Sequence, residues 1–455
     1  MLPDDVLLVV FDFCAHEEEV LWKLRLQQVW QTLVHVCRRW RSLVFGSPRG
    51  LNLQLLCSSR TPARDMLDLW PPLPLVIRTF WYPIEDVDNM VAVLEHRNRV
   101  CRIHITNISS SGLETISAAM QEPFPELTHL ILQPEETMMA VLPDSFSGGS
   151  APHLRELRFY GIPFPGLPKL LLSSTHLTDL RLFDIPHSGY FSPEAIATAL
   201  SMSTSLRDLH LEFQSPLSLP GRASRRPPPP KCFVLPVLAD FWFKGVSEYL
   251  EDFVVRIDAP LLKKLFITFF NQILFDTPQL VQLISRMSML KAPEMARVSF
   301  WNNSVTIELL SRRYEYEYLS VKILCDASDW QVSSLEQVCT SCFPPFSTLE
   351  DLHISEGLLR PIWQDNIENT LWLELFQPFT AVKNLYVSKM FAPRIVPSLQ
   401  ELVGERTTEV LPALQNIFLE GLETLGPVQE DIQQFVTMRQ ASHPIAVSRW
   451  DRRRS

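Results

Sequence analysis

The one pair of residues in this 455-residue chain spaced for thiol chemistry is Cys339 and Cys342, which with Thr340 and Ser341 form a CxxC. Such a pair can exchange a disulfide or supply half of a zinc site. Zinc would need a second pair of ligands at short spacing, and thioredoxin-like exchange would need a βαβ frame; neither accompanies it. The other cysteines, at 14, 37, 57, 101, 232 and 325, are scattered, several within apolar phrases, so reduced structural thiols are expected. His129, His153, His176 and His353 lie close to phrase leucines, the placement of solvated strand or turn residues rather than of metal ligands. The 14 glycines form neither G-x-x-x-x-G-K-[ST] nor G-x-G-x-x-G, and neither HExxH nor GxSxG occurs. With no convergent nucleophile, acid and base, the chain is expected not to be an enzyme and to need no metal or cofactor.

The chemistry that remains is recognition, carried by arginines and aromatic residues at regular spacing. Arg158, Arg181, Phe183, Trp242, Phe266 and Trp301 are the candidate partner-binding residues, of the types that dominate binding hot spots. Their positions follow from a phrase of the form apolar-x-x-apolar-x-apolar. Clear copies begin at Leu127, Leu154, Leu177, Leu206, Leu262, Leu349 and Leu414, and weaker ones at Val100, Leu238, Met295, Tyr318 and Val382. The intervals run from 23 to 33 residues. Within a phrase the alternation has period two, as in a half-buried strand, so the fourth and sixth residues point into a core and the third, fifth and seventh point out.

Between phrases lie helix signals. Ser192-Pro193-Glu194 offers a cap, a proline at the first helical position and an acid, and Asp276-Thr277-Pro278 opens another helix by the same logic. One strand and one helix per ~28 residues is the signature of a leucine-rich-repeat solenoid with a parallel concave sheet and helices on the convex side. The expected fold class is α/β, a short all-α head followed by that solenoid. On the concave face the fifth positions present Arg158, Arg181, His210, Trp242, Phe266 and later Tyr386 and Phe418, with Trp242, Phe266 and Trp301 expected on neighbouring turns. The same aromatic residues belong to the core if the strand phase is off by one, and are covered if the loop from Gln214 to Lys231 folds over them.

The organisation reads as a helical head at 1–50, a connector and first repeat cap at 51–95, repeats at 96–426 with a loop insertion at 214–231, and a capping helix and strand with a basic tail at 427–455. In the head, Val6, Leu7, Val10, Phe11 and Cys14 follow helical spacing, and a second helix is expected from Val20 through Trp40, stopped by Gly46-Ser47-Pro48. The insertion, with Pro227 to Pro230 and basic neighbours out of register with a PxxP, reads as a flexible loop. Net charge is −10, from 41 basic and 51 acidic residues, which disfavours a nucleic-acid partner. Asp4 and Asp5 stand where a secretory leader would be basic, and no apolar run approaches the ~18 residues of a membrane span. An intracellular protein, cytoplasmic or nuclear, with no membrane partner is expected.

The head resembles an F-box. The matching residues are Leu2-Pro3, Val6-Leu7, Val10-Phe11, then Val36-Cys37-Arg38-Arg39-Trp40-Arg41, Leu43 and Ser47-Pro48, with a longer middle from Glu17 to His35. The whole chain is similar to the fungal class of F-box proteins with degenerate leucine-rich repeats, in particular at Leu67 to Pro74, Phe243 to Leu250, and Phe269 to Gln272 with Asp276 to Leu280. That resemblance implies a non-catalytic substrate receptor of an SCF-type cullin-RING ubiquitin ligase. Its F-box would dock on the Skp adaptor through Leu2, Pro3, Val6, Leu7, Val10, Phe11, Val36, Cys37, Trp40 and Leu43, and its repeats would hold an unknown target protein. Two readings stay open beside it: these apolar residues pack internally, or the repeats form an interaction scaffold without a ligase.

Overall fold

The computed structural model describes residues 2–21, 29–47, 53–68, 72–79, 87–135, 141–216, 232–271, 275–287, 293–311, 314–325, 328–344, 346–357, 367–402, 409–421, 427–439 and 444–451. The chain divides into two compact units, Met1–Phe191 and Ser192–Ser455. Both are α/β, and their main strands pair in mostly parallel sheet, six strands in the first unit and ten in the second.

The first unit opens with three helices and no strand: α1 (Asp4–Leu21), α2 (Val29–Val36) and α3 (Arg38–Gly46). The single second helix expected from Val20 to Trp40 is thus two. Val20 and Leu21 extend α1, and Cys37 breaks the remainder with an extended backbone, φ −160° and ψ 169°, its Sγ accepting the Trp40 N–H at 3.4 Å as a cap. Strands β1 (Leu55–Cys57), β2 (Leu75–Arg78), β3 (Val100–Ile108), β4 (His129–Pro134), β5 (Glu156–Tyr160) and β6 (Asp179–Ile185) follow, each parallel to the next. Helices α4 (Ala63–Met66), α5 (Asp88–Leu94), α6 (Ser110–Ala119) and α7 (Leu167–Leu172) lie between them in sequence.

The phrase sets the burial. Leu127, Leu130 and Leu132 are fully buried, as are Leu154 and Leu157, while the alternate residues of each strand stay half-exposed. In register, Ile103 sits beside Leu130, Leu130 beside Leu157 and Leu157 beside Leu180, so the fourth positions form one continuous apolar row. Each buried leucine contributes about 2 kcal/mol, which no isolated repeat collects because its row would face water. In four of the twelve phrases the eighth position, just past the phrase, takes a left-handed backbone. Asn107, Gly161, Asp184 and Gly421 all adopt positive φ there, between 50° and 64°, and all are residue types that tolerate the left-handed region.

The second unit begins with α8 (Pro193–Leu200), whose Ser192 cap accepts the Ala195 N–H at 3.1 Å as the sequence predicts. Its strands are β7 (Asp208–Phe213), β8 (Phe233–Val234), β9 (Asp240–Gly245), β10 (Ile257–Asp258), β11 (Lys264–Phe269), β12 (Met295–Trp301), β13 (Ser304–Ser311), β14 (Tyr314–Leu324), β15 (Asp351–Glu356), β16 (Asn384–Val387), β17 (Asn416–Glu420) and β18 (Ala446–Trp450). Its other helices are α9 (Ser247–Val254), α10 (Pro278–Arg286), α11 (Ser328–Ser341), α12 (Asn369–Phe376), α13 (Ala392–Gln400) and α14 (Pro427–Arg439). Thr277 makes no side-chain cap to α10; the Glu251 carboxylate of α9 does so instead, accepting the Gln279 and Leu280 N–H groups at 3.0 and 2.7 Å. The closing helix and strand expected at the C-terminus are α14 and β18, the latter parallel to β17.

One part of the array departs from the simple repeat. The spatial order is β7-β9-β11-β14-β13-β12-β15-β16-β17-β18, so β12, β13 and β14 form an antiparallel meander inside an otherwise parallel sheet. β13, absent from the sequence-based scheme, follows β12 through Asn302 and Asn303 alone, with Trp301 paired to Ser304. A two-residue connection joins only antiparallel neighbours, because a parallel return needs a crossover of a dozen residues or more. The phrases at Met295 and Tyr318 are correspondingly displaced by two residues: Val298 pairs with Ile354 and Val321 with Ile267, not with the fourth residues Leu352 and Leu265. Residues 217–231, most of the expected loop insertion, lie outside the described residues, as do 452–455 of the basic tail.

Candidate functional site

The head sorts its apolar residues onto two faces. Leu7 and Phe11, one turn apart on α1, are 5% and 1% exposed, and the Phe11 ring meets Trp40 of α3 edge to face with centroids 4.8 Å apart. Arg39 ties the start of α1 to α3, donating to the Leu2 carbonyl at 2.6 Å and pairing with Asp4, while Arg41 Nε donates to the Val34 carbonyl at 3.0 Å. Val6, Val9, Val10 and Phe13 form an exposed stripe of α1 by their spacing, and with Leu2 and Val36 are between 43% and 70% exposed. Of the ten residues carried over from the F-box pattern, Leu2, Pro3, Val6, Val10, Val36 and Cys37 are therefore exposed, Trp40 and Leu43 half-buried, and Leu7 and Phe11 turned into the head.

Arg158, Arg181 and Phe183 occupy the outward face of the first unit's sheet. Arg158 pairs in register with Arg181 and Tyr160 with Phe183, whose rings stack at 4.5 Å. The arginines carry their own counter-ions: Arg158 Nε lies 2.6 Å from Glu156 and its Nη2 3.5 Å from Asp179, and Arg181 Nη2 lies 2.7 Å from Asp179. Burial raises the Glu156 carboxyl despite Arg158 beside it. Two histidines share this face, with pKa values pushed down to about 4. For His104 the causes are burial, then Arg78 and Arg158; for His129 they are burial, then Arg102, Arg155 and Arg158. Both are neutral at pH 7.

In the second unit, Trp242 and Phe266 face outward between the buried pairs Phe241 and Phe243, and Leu265 and Ile267. Directly opposite in register, their rings stack at 3.8 Å, and His210 of β7 extends the stack onto Trp242 at 5.0 Å. Trp301 is not on a neighbouring turn, because β14 and β13 stand between β11 and β12. Beside Phe266 comes Ser320 instead, and the Trp301 ring packs on Gly357, where a Cβ would come within 2.3 Å of it. Residue-type reasoning passed over a second stack: His353, Tyr386 and Phe418 lie ring on ring at 4.1 and 4.5 Å, with Trp450 edge-on to Tyr386 at 5.5 Å. All three fifth-position residues were in the phrase; reading them along the sheet rather than along the chain would have found the stack.

The CxxC is not arranged as a reactive thiol pair. Cys339 lies in α11 and Cys342 just beyond it, both buried, and the Thr277 hydroxyl stands 3.1 Å from Cys342 Sγ. Burial pushes Cys342 up to about 12 and holds Cys339 well above the ordinary thiol range. Among the described residues no group of three or more His, Cys, Asp or Glu side chains is placed to hold a metal ion. No described helix is long and apolar enough to cross a membrane. No protein-family model matches the chain, and no curated protein matches its sequence.

Proposed function

We propose that this protein is a non-catalytic binding subunit: a leucine-rich-repeat solenoid that holds a target protein, fronted by an F-box that docks on the Skp adaptor of an SCF-type cullin-RING ubiquitin ligase. The observation that carries the docking half is the head's division of labour. Leu7, Phe11, Val34 and Val44 are buried in the head, whereas Leu2, Val6, Val9, Val10, Phe13 and Val36 stay exposed. Exposed apolar groups concentrated on one small helical unit mark an interaction surface. The repeat half is supported by parallel strands whose outward positions present arginines and stacked aromatic rings.

Co-purification of the full chain with the Skp adaptor tests the reading. The informative variant is Val6→Asp with Val10→Asp, since both sites are exposed and the fold tolerates charge there; pairing is expected to weaken by at least about tenfold. Leu7→Asp is the wrong probe, because it would bury a charge in the head. A folded full-length chain that does not pair with the adaptor leaves an interaction scaffold and removes the ligase assignment.

A further inference from the structure

In the second unit, polar chemistry singles out one row of outward positions. In register across β11, β14, β13, β12 and β15 stand Thr268, Lys322, Thr306, Ser299 and Ser355, one ammonium among four hydroxyls. Each lies one residue from a fully buried apolar position of its strand, so all five point away from the core. Thr306, Ser299 and Ser355 are nevertheless only 8%, 9% and 3% exposed. Among the described residues their hydroxyls have no hydrogen-bond partner, and Ser304, two residues before Thr306 on the same face and 1% exposed, has an Oγ with none either. Buried hydroxyls are ordinarily satisfied, because an unpaired one loses its water without replacement. Four on one small patch mark a site completed by a group from outside. Lys322, half-buried in the same row, makes no ion pair among the described residues. The Glu308 carboxylate in the next row stands opposite Arg297, with which it pairs at 3.7 Å.

We infer that this row receives an oxyanion group of a bound partner protein, with Lys322 supplying the charge and Thr306, Ser299 and Ser355 donating hydroxyl hydrogen bonds to its oxygens. Hydroxyls alone would serve a neutral polar group as well; a lysine beside them without a counter-ion selects an anion. The group is a phosphate monoester or a carboxylate, whose shared chemistry is a cluster of negatively charged acceptor oxygens. Two residues before Thr268 on β11 stands Phe266, stacked on Trp242 at 3.8 Å, so the segment that carries the anion meets an aromatic platform beside it. The inference rests on the reading of the repeats as a binding surface and names the chemistry that surface takes. It does not depend on the head's docking on an adaptor.

Thermal midpoints of the full chain test it, with inorganic phosphate and acetate as the probes against potassium chloride at equal ionic strength. Phosphate, acetate or both should raise the midpoint by roughly 2–4 °C near saturation, and the larger shift identifies the source of the oxygens. Lys322→Met should remove that shift, whereas Lys263→Met, at an exposed lysine elsewhere in the unit, should keep it. Comparing variants cancels the general effect of phosphate on folded proteins, which acts on all of them alike. Thr306→Val with Ser299→Ala, which removes two hydroxyls and little volume, should also abolish the shift while leaving the probe-free midpoint equal or higher, since these hydroxyls give up no hydrogen bond in the unbound chain. This pair decides if the Lys322 variant does not fold. Equal shifts in the parent and in Lys322→Met, no shift with either probe, or a probe-free midpoint lowered by the hydroxyl variants overturns the inference. Adaptor pairing, measured on the same samples, is expected to be unchanged in every variant, so the two readings fail separately.

Discussion

Trp242 and Phe266 lie ring on ring, 3.8 Å apart and 15° from parallel, directly opposite each other on neighbouring strands and outside the core that their sequence neighbours fill. Phe241 is fully buried one residue away. Replacing each by alanine should therefore separate the two sides of one strand. Phe241→Ala is expected to cost about 3–5 kcal/mol through transfer and cavity terms, and Trp242→Ala only about 1 kcal/mol through the lost stack. Urea midpoints compare them; equal losses would put Trp242 in the core.

At the eighth position of four phrases the backbone is left-handed. Gly161 has φ +62° with nothing within 4 Å of where a Cβ would stand, so strain alone decides its substitutions. Gly161→Ala should cost about 1 kcal/mol, and Gly161→Asn less, because Asn107 and Asp184 already occupy the equivalent positions at φ 56° and 50°. Thermal midpoints ranked in any order other than glycine, asparagine, alanine contradict this account.

The cysteines should label in an order set by burial. Cys37 and Cys232 are exposed, whereas Cys339 and Cys342 are enclosed and held protonated by burial. Treating the native chain with iodoacetamide near pH 8 should modify Cys37 and Cys232 first and leave the CxxC intact until the chain unfolds. Early modification of Cys342 in peptide mass spectra would return a thiol role to consideration.

His104, His129 and His353 all have pKa values lowered to about 4, in each case by burial first. A depressed imidazole pKa means that the unfolded chain binds protons more tightly than the folded one. The stability tied to these groups is complete above about 6.5 and is lost as pH falls from there through about 4. Glu156, raised by burial, acts in the opposite direction: its folded form is the better proton acceptor, so acid relieves it. Glu251 and Glu336 are raised by burial in the same way, so the histidine share of the stability, which falls between pH 6.5 and 4, is read from the urea midpoint of a histidine variant relative to the parent. His129→Gln should flatten that slope by an amount on the order of 1 kcal/mol after allowance for solvent screening.

The sequence reveals the strand phase wherever the parallel rule holds. Arg158, Arg181, Trp242 and Phe266 face outward as the alternation predicts, since a one-residue slip would exchange the buried and exposed sets. The same pattern is silent on neighbour order, and the Met295 and Tyr318 phrases mislead by two residues because the β12–β14 meander, not a repeat, sets their register. Asn302-Asn303 between two alternating runs was the available sign of that hairpin. In the head, helical spacing could not choose a face: Val6 and Val10 are separated by four residues, as are Leu7 and Phe11, and only packing against α3 turns the second pair inward.

The meander also determines when the second unit can be completed during synthesis. β11 ends at Phe269, yet the strand that covers its free edge, β14, finishes only at Leu324, and β12 waits for β15 at Glu356 on its parallel side. A nascent chain elsewhere in the array can add each strand to the one before it. Here it must hold an unpaired edge open until the hairpin has been made, which marks β11 as the place where a stalled or slowly translated chain is most exposed to the wrong strand.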